Sequence, residues 1–164
     1  MSSADHVSTA DHVSTTDPAR ATHASPTQLT LRGAIALALL VDVVVHLHLA
    51  PGYQLSAPGG IGAGNLFRIE AAVALVAAVF VVVRGSRASY AAAFLVALSA
   101  LGAVLLYRYV NVPMFGPLPA MYEPVWFPQK SLSAVAEAIA AVLAGAALLS
   151  APGALAPRRH VRKH

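Results

Sequence analysis

The sequence predicts an all-α integral membrane protein: four transmembrane helices in an antiparallel bundle, N- and C-termini cytoplasmic, with a disordered N-terminal tail. Three observations predict it. Of the 164 residues 57% are hydrophobic and 11% charged, with a mean hydropathy of +0.66, whereas an ordinary soluble domain is about 25% charged. The apolar residues gather in four runs, each near the ~20 residues that cross ~30 Å of hydrocarbon at 1.5 Å per residue. The runs do not alternate as barrel strands would, and lipid leaves an open backbone without partners, so helix is the form they must take.

Residues 1–28 read as a disordered polar tail holding a tandem repeat, "ADHVST" at 4–9 and again at 10–15. Its composition of Ser, Thr, Asp and Ala cannot build a core. His6, His12 and His23 beside Asp5, Asp11 and Asp17 are read as part of that leader rather than as a metal site. The transmembrane domain, 29–150, has apolar segments at about 29–49, 64–83, 89–110 and 131–150. "RGSR" at 84–87 is a tight basic turn. "APGYQLSAPGGIGAGN" at 50–65 is a Gly/Pro-rich connection. Its "GGIGAG" has neither the preceding strand nor the Lys-Ser/Thr of a phosphate loop, so it reads as a flexible linker. The third connection, 111–130, has five prolines and the aromatics Phe115, Tyr122, Trp126 and Phe127. With Tyr107 and Tyr109 these suit an interfacial belt, and the segment is apolar enough to serve as a lid. Residues 151–164 form a basic tail.

Charge sets the orientation and excludes some functions. The net charge is +4 with a pI near 9.9. Four of the eleven basic residues lie in the closing "RRHVRKH", a topology signal and a contact for anionic headgroups. No basic, aromatic-studded soluble module exists for nucleic acid, which is not an expected partner. Arg20, Arg32, Arg84, Arg87, Arg158, Arg159, Arg162 and Lys163 fall on one side, Arg68, Arg108 and Lys130 on the other. By the positive-inside bias both termini are cytoplasmic and the two longer loops face outward, in a multi-pass protein of the cell (cytoplasmic) membrane. The chain has no cysteine, which removes disulfides, thiolate metal sites, thiol nucleophiles and covalent c-type haem.

"VDVVVHLHLA" at 41–50 holds an acid and two imidazoles within an apolar run. Counted from the outer ends, Asp42, His46, Arg68, Glu70, Arg108 and Glu137 all lie in the outer half of the membrane or near its middle. A second helix starting after Glu70 would span only roughly 20 Å, too short to cross. A charge at such depth costs about 2.5–3.5 kcal/mol on insertion scales, so these groups must turn inward and find partners. Asp42 and His46 are i,i+4 on one face, while His48 lies about 200° from His46. Lys130, Ser133, Glu137, Ala141 and Ala144 make an inward stripe on the fourth helix, and Glu70, Ala74 and Ala77 another on the second. These faces bring Asp42, His46, Glu70 and Glu137 toward one outer pocket, with Arg68 and Arg108 at its mouth.

Three uses of that pocket follow. As a ligand, ion or proton site, Asp42, His46, Glu70, Arg108, Glu137 and Arg68 handle a small polar species. As an accessory subunit of a membrane complex, the three acids pair with Arg68, Arg108 and Lys130 and only fix helix register. As a membrane-embedded metal enzyme, His46, Asp42, Glu70 and Glu137 hold a divalent cofactor. No ExxH or HExxH motif is present, and "HLH" chelates only if the helix unwinds before Pro51. The partners implied are the lipid bilayer and, through the small-residue stripes, a membrane-protein partner or a second copy of the chain. In size and topology the plan resembles small bacterial membrane proteins of the DoxX-like kind, a resemblance that carries no residue roles.

Overall fold

Local sequence fixes where each helix begins and ends. The computed structural model describes residues 25–150; the tandem repeat, its histidines and the basic tail lie outside the described residues. The Ser25 side chain accepts from the Gln28 backbone N–H, and the Gln28 side chain accepts from the Ser25 N–H. With Pro26 in the first turn this capping box starts α1, Pro26–Ser56, inside the segment expected to be tail. α2 is Ala63–Arg84 and stops at Gly85, which adopts a left-handed conformation. Ser86 and Ser89 form a second capping box that opens α3, Arg87–Tyr109. α4 is Pro128–Ser150. All four are long and apolar enough to cross a membrane.

α1 differs from expectation. It continues through Pro51 to Ser56 instead of ending near Leu49. Proline fixes φ at a helical value, and its one missing N–H is tolerated where neighbouring elements brace the chain. The brace here is polar: Gln54 Oε1 accepts from the Asn65 backbone N–H at 3.1 Å. At 31 residues α1 measures roughly 46 Å, well beyond the ~30 Å hydrocarbon thickness. Its last turns carry Tyr53 and Gln54 to the connections. Because the helix does not unwind, His48 stays exposed on the opposite side from His46, and "HLH" is no chelate.

The four helices close into a ring in which α1 packs on α2 and α4, and α3 packs on α4 and α2. Its interior is built from small residues. Ala74, Ala93, Ala140 and Ala144 are fully buried around Ile35, Leu39 and Val81. Leucine and valine point outward instead, with Leu37, Val76 and Val142 each about two-thirds exposed. Alanine inside and branched aliphatics outside is the distribution of helices that pack closely in lipid. The α2–α3 contact is the thinnest of the four, which leaves room between those helices at one end.

That end is covered by the connections. Residues 110–127 form a folded-back excursion in which Val112 and Met121 exchange backbone hydrogen bonds, as do Phe115 and Leu118, around Gly116. Its tip rests on the α1–α2 turn, where Ile61 N–H donates to Pro117 O at 2.9 Å. The glycine run is therefore a packed turn and not a loose linker. Gly60 has φ +60°, and a Cβ there would meet Pro117 O at 2.2 Å. A Cβ on Gly64 would meet Ala50 O at 2.2 Å, so only glycine lets α2 start so close to α1.

Gly64→Ala is expected to destabilise the bundle by about 1–3 kcal/mol, the usual cost of overpacking. Gly102→Ala, where a Cβ meets nothing within 4 Å, stays within about 1 kcal/mol of the parent. Unfolding midpoints of the two variants in mixed micelles check the difference.

Candidate functional site

The polar centre is assembled by α1 and α4. Asp42 and His46 lie one turn apart on the buried face of α1, and Ser133 and Glu137 lie one turn apart on the buried face of α4. Asp42 and Glu137 are each 1% exposed and Ser133 3%. His46 Nδ1 lies 2.8 Å from Asp42 Oδ1 and 3.1 Å from the Asp42 carbonyl oxygen. Both neighbours are acceptors, so the proton between them is on Nδ1. Ser133 Oγ lies 2.6 Å from Asp42 Oδ1 and 2.9 Å from Glu137 Oε1.

Ser133 has one hydroxyl proton and faces two carboxyl oxygens. It can donate to only one of them. The other contact requires a proton on the carboxyl side or a cation in the cluster. Glu137 Oε2 is buried with no hydrogen-bond partner, which deepens the same deficit.

Above this floor lies a cavity of about 280 Å³ bounded by all four helices and the 110–127 excursion. Its walls are mainly apolar, with Leu49, Phe67, Val104, Met121 and Phe127 among them, and its polar lining includes His46, Ser133, Glu70 and Lys130. The Phe67 ring meets His46 edge-on at 5.0 Å and Tyr53 at 4.4 Å. Ile69, 53% exposed, and exposed Ser99 stand on its rim, which marks an opening on the α2–α3 flank.

Charges at the mouth are balanced separately. Tyr53 Oη donates to Glu123 Oε2 at 3.4 Å, Glu123 N–H donates to Tyr107 O at 2.9 Å, and Lys130 Nζ donates to Glu123 O. Lys130 Nζ also lies 5.5 Å from the Trp126 ring centroid. These contacts tie the excursion to α1, α3 and α4.

The structure thus brings Asp42, His46 and Glu137 into one cluster and sets Glu70 on the cavity wall beside them. It does not bring Arg68 or Arg108 there. Arg68, two residues before Glu70, lies about 200° around the helix from it; it is exposed and donates to Asn65 Oδ1 at 2.8 Å. The Arg108 guanidinium lies over the rings of Tyr109, at 5.1 Å, and Trp126, at 6.0 Å. A planar, weakly hydrated cation gains from such stacking. The expected pairing of three acids with three bases does not form: among the described residues, no Lys or Arg lies within ion-pair distance of Asp42, Glu70 or Glu137. Glu70 Oε1 is buried with no hydrogen-bond partner. In the sequence Ser133 stands only as a small residue of the α4 stripe; its place one turn before Glu137 is the available signal. Tyr53 and Glu123 carried none, because their meeting depends on α1 continuing past Pro51.

Four membrane-spanning-type helices around a buried acid–imidazole–hydroxyl cluster define a small membrane protein. Compared with protein-family models, curated proteins and solved structures, the chain shows no significant match to any.

Ser133→Ala is expected to cost roughly 1.5–3 kcal/mol, the range for a hydrogen bond to a charged group. Ser99→Ala, whose hydroxyl bonds only Val96 O at an exposed site, should stay within about 0.5 kcal/mol. Denaturant titration of both in mixed micelles tests this.

Proposed function

We propose that the protein is a multi-pass protein of the cytoplasmic membrane whose outward-side cavity binds a small, largely apolar molecule with a cationic head. On this reading the carboxyl groups below the head handle its charge and a proton. One observation carries it: among the described residues, Glu70 on the cavity wall and Asp42 and Glu137 beneath its floor have no Lys or Arg within ion-pair distance. His46 lies against Asp42, whereas Lys130, which also lines the cavity, is held by the Glu123 carbonyl and Trp126 beside the Glu123 acid. A low-dielectric site with excess negative charge favours cations and rejects anions.

The parts divide the work. The apolar walls take the body of the ligand, as in most small-molecule sites. Glu70, with Oε1 unpartnered, is the counter-ion for the head. The Asp42–His46–Ser133–Glu137 chain passes or stores a proton, with Nδ1 fixed on Asp42 and the hydroxyl linking the two carboxyl groups. The exposed lining residues Ile69 and Ser99 between α2 and α3 support entry from lipid. An accessory role resting on mutual charge pairing is not supported, since those pairs are missing and a cavity stands in their place.

Trp126, the chain's one tryptophan, adjoins Phe127 and lies over Lys130, which both line the cavity. In nanodiscs, octylamine is expected to change Trp126 emission saturably, octanol less strongly and octanoate not at all. Glu70→Gln should weaken octylamine by about 10- to 100-fold, the value of one charge-assisted hydrogen bond. Equal binding of octanoate, or an unaltered Glu70→Gln variant, overturns the reading.

A further inference from the structure

We propose that the floor of this cavity is a binding site for a divalent first-row transition metal, held by Asp42, His46 and Glu137. The inference rests on the reading of the cavity as cation-demanding; the ion takes the place of the proton stored by the Asp42–His46–Ser133–Glu137 chain and leaves Glu70 as the counter-ion for the head.

Geometry comes first. One potential ligand atom from each of the three side chains lies within 4.8 Å of the other two, and all three residues are buried. Ligand atoms in tetrahedral coordination at about 2.1 Å sit roughly 3.4 Å apart. Replacing the proton in the 2.8 Å His46–Asp42 contact therefore asks these atoms to separate by a fraction of an ångström.

Charge is the second argument. Two ionised carboxylates and a neutral imidazole carry two negative charges, with no Lys or Arg within ion-pair distance among the described residues. One divalent ion neutralises the group completely. It also answers the unpartnered Glu137 Oε2 and releases Ser133 from serving two acceptors with one proton. Glu137 Oε2, buried without a partner on a side chain 1% exposed, is satisfied either by a proton shared with Asp42 or by an ion, and titration with Co²⁺ separates the two.

The donor set names the class. One imidazole nitrogen with two carboxylate groups suits zinc, manganese, iron or cobalt, and the nitrogen argues against magnesium and calcium, which prefer oxygen alone. His46 and Ser133 also line the cavity, so the ion would be reachable from it. Glu70 stays free for the cationic head.

The full-length protein in nanodiscs, stripped with a chelator, is titrated with Co²⁺ and followed by visible d–d absorption and metal analysis. The expected result is one Co²⁺ per chain in the membrane domain, displaced by Zn²⁺ and not by Mg²⁺. Glu137→Gln and Asp42→Asn are expected to weaken Co²⁺ at least about tenfold, with Ser133→Ala, which loses the hydroxyl orienting both carboxyl groups, at the lower end of a 10- to 100-fold range. Glu70→Gln keeps its Co²⁺. Helical circular dichroism monitors folding, and His46→Gln carries the same test if an acid variant unfolds. No d–d band, or Co²⁺ binding unaltered by Glu137→Gln and Asp42→Asn and so attributable to the tail histidines, overturns the site. Lost Co²⁺ with octylamine binding intact removes the metal alone; Co²⁺ binding without octylamine binding leaves the metal site standing and removes the amine reading.

Discussion

Ser133 holds the key constraint: a single hydroxyl proton placed 2.6 Å from one carboxyl oxygen and 2.9 Å from another, in a part of the chain built to lie in lipid. An uncompensated charge at that depth costs several kcal/mol, so a proton shared within the cluster or a cation has to offset the carboxyl groups. The remaining architecture follows from bringing these groups together. Alanines on α1, α2 and α4 thin the interior until a serine on one helix reaches an aspartate on another. Bulkier side chains at those positions would hold the helices apart and break the bridge.

The same economy of volume explains the cavity. Small residues let α1 approach both neighbours, while α2 and α3 diverge at the end where the connections lie. The space is not filled by side chains from the excursion; Leu118, Met121 and Glu123 form part of its wall instead. Tyr53 stands at the junction, its ring tilted 38° against Phe67 and its hydroxyl donating to Glu123. The overlong α1 is thus a structural strut for the cover of the cavity as well as a membrane crossing.

Much of this was legible in the residues. Four long apolar runs gave the four helices, because hydrophobic length and backbone satisfaction admit few alternatives. The i,i+4 spacing of Asp42 and His46 and the small-residue stripe with Glu137 foretold the shared face that the structure contains. Depth along a helix predicts Arg68 and Arg108 at the cavity mouth, but Arg68 lies about 200° around α2 from Glu70 and Arg108 stacks on Tyr109 and Trp126. Pro51 predicts a helix end near Leu49, because proline usually terminates helices in water. Its retention depends on Gln54 and Asn65, which meet only after α2 has folded back. The paired backbone of 110–127 had no periodic signature, since five prolines and scattered aromatics describe a loop without specifying its shape.

The opening between α2 and α3 has one more consequence. A doorway in the flank of a bundle is supplied by molecules already dissolved among the acyl chains. Their abundance there is governed by how strongly they partition out of water, so occupancy would track the amount of bilayer present as much as the amount of solute added. Compounds of equal intrinsic fit would then rank by greasiness, and a ligand too polar to dwell in lipid would find the site hard to reach however well its head matched Glu70.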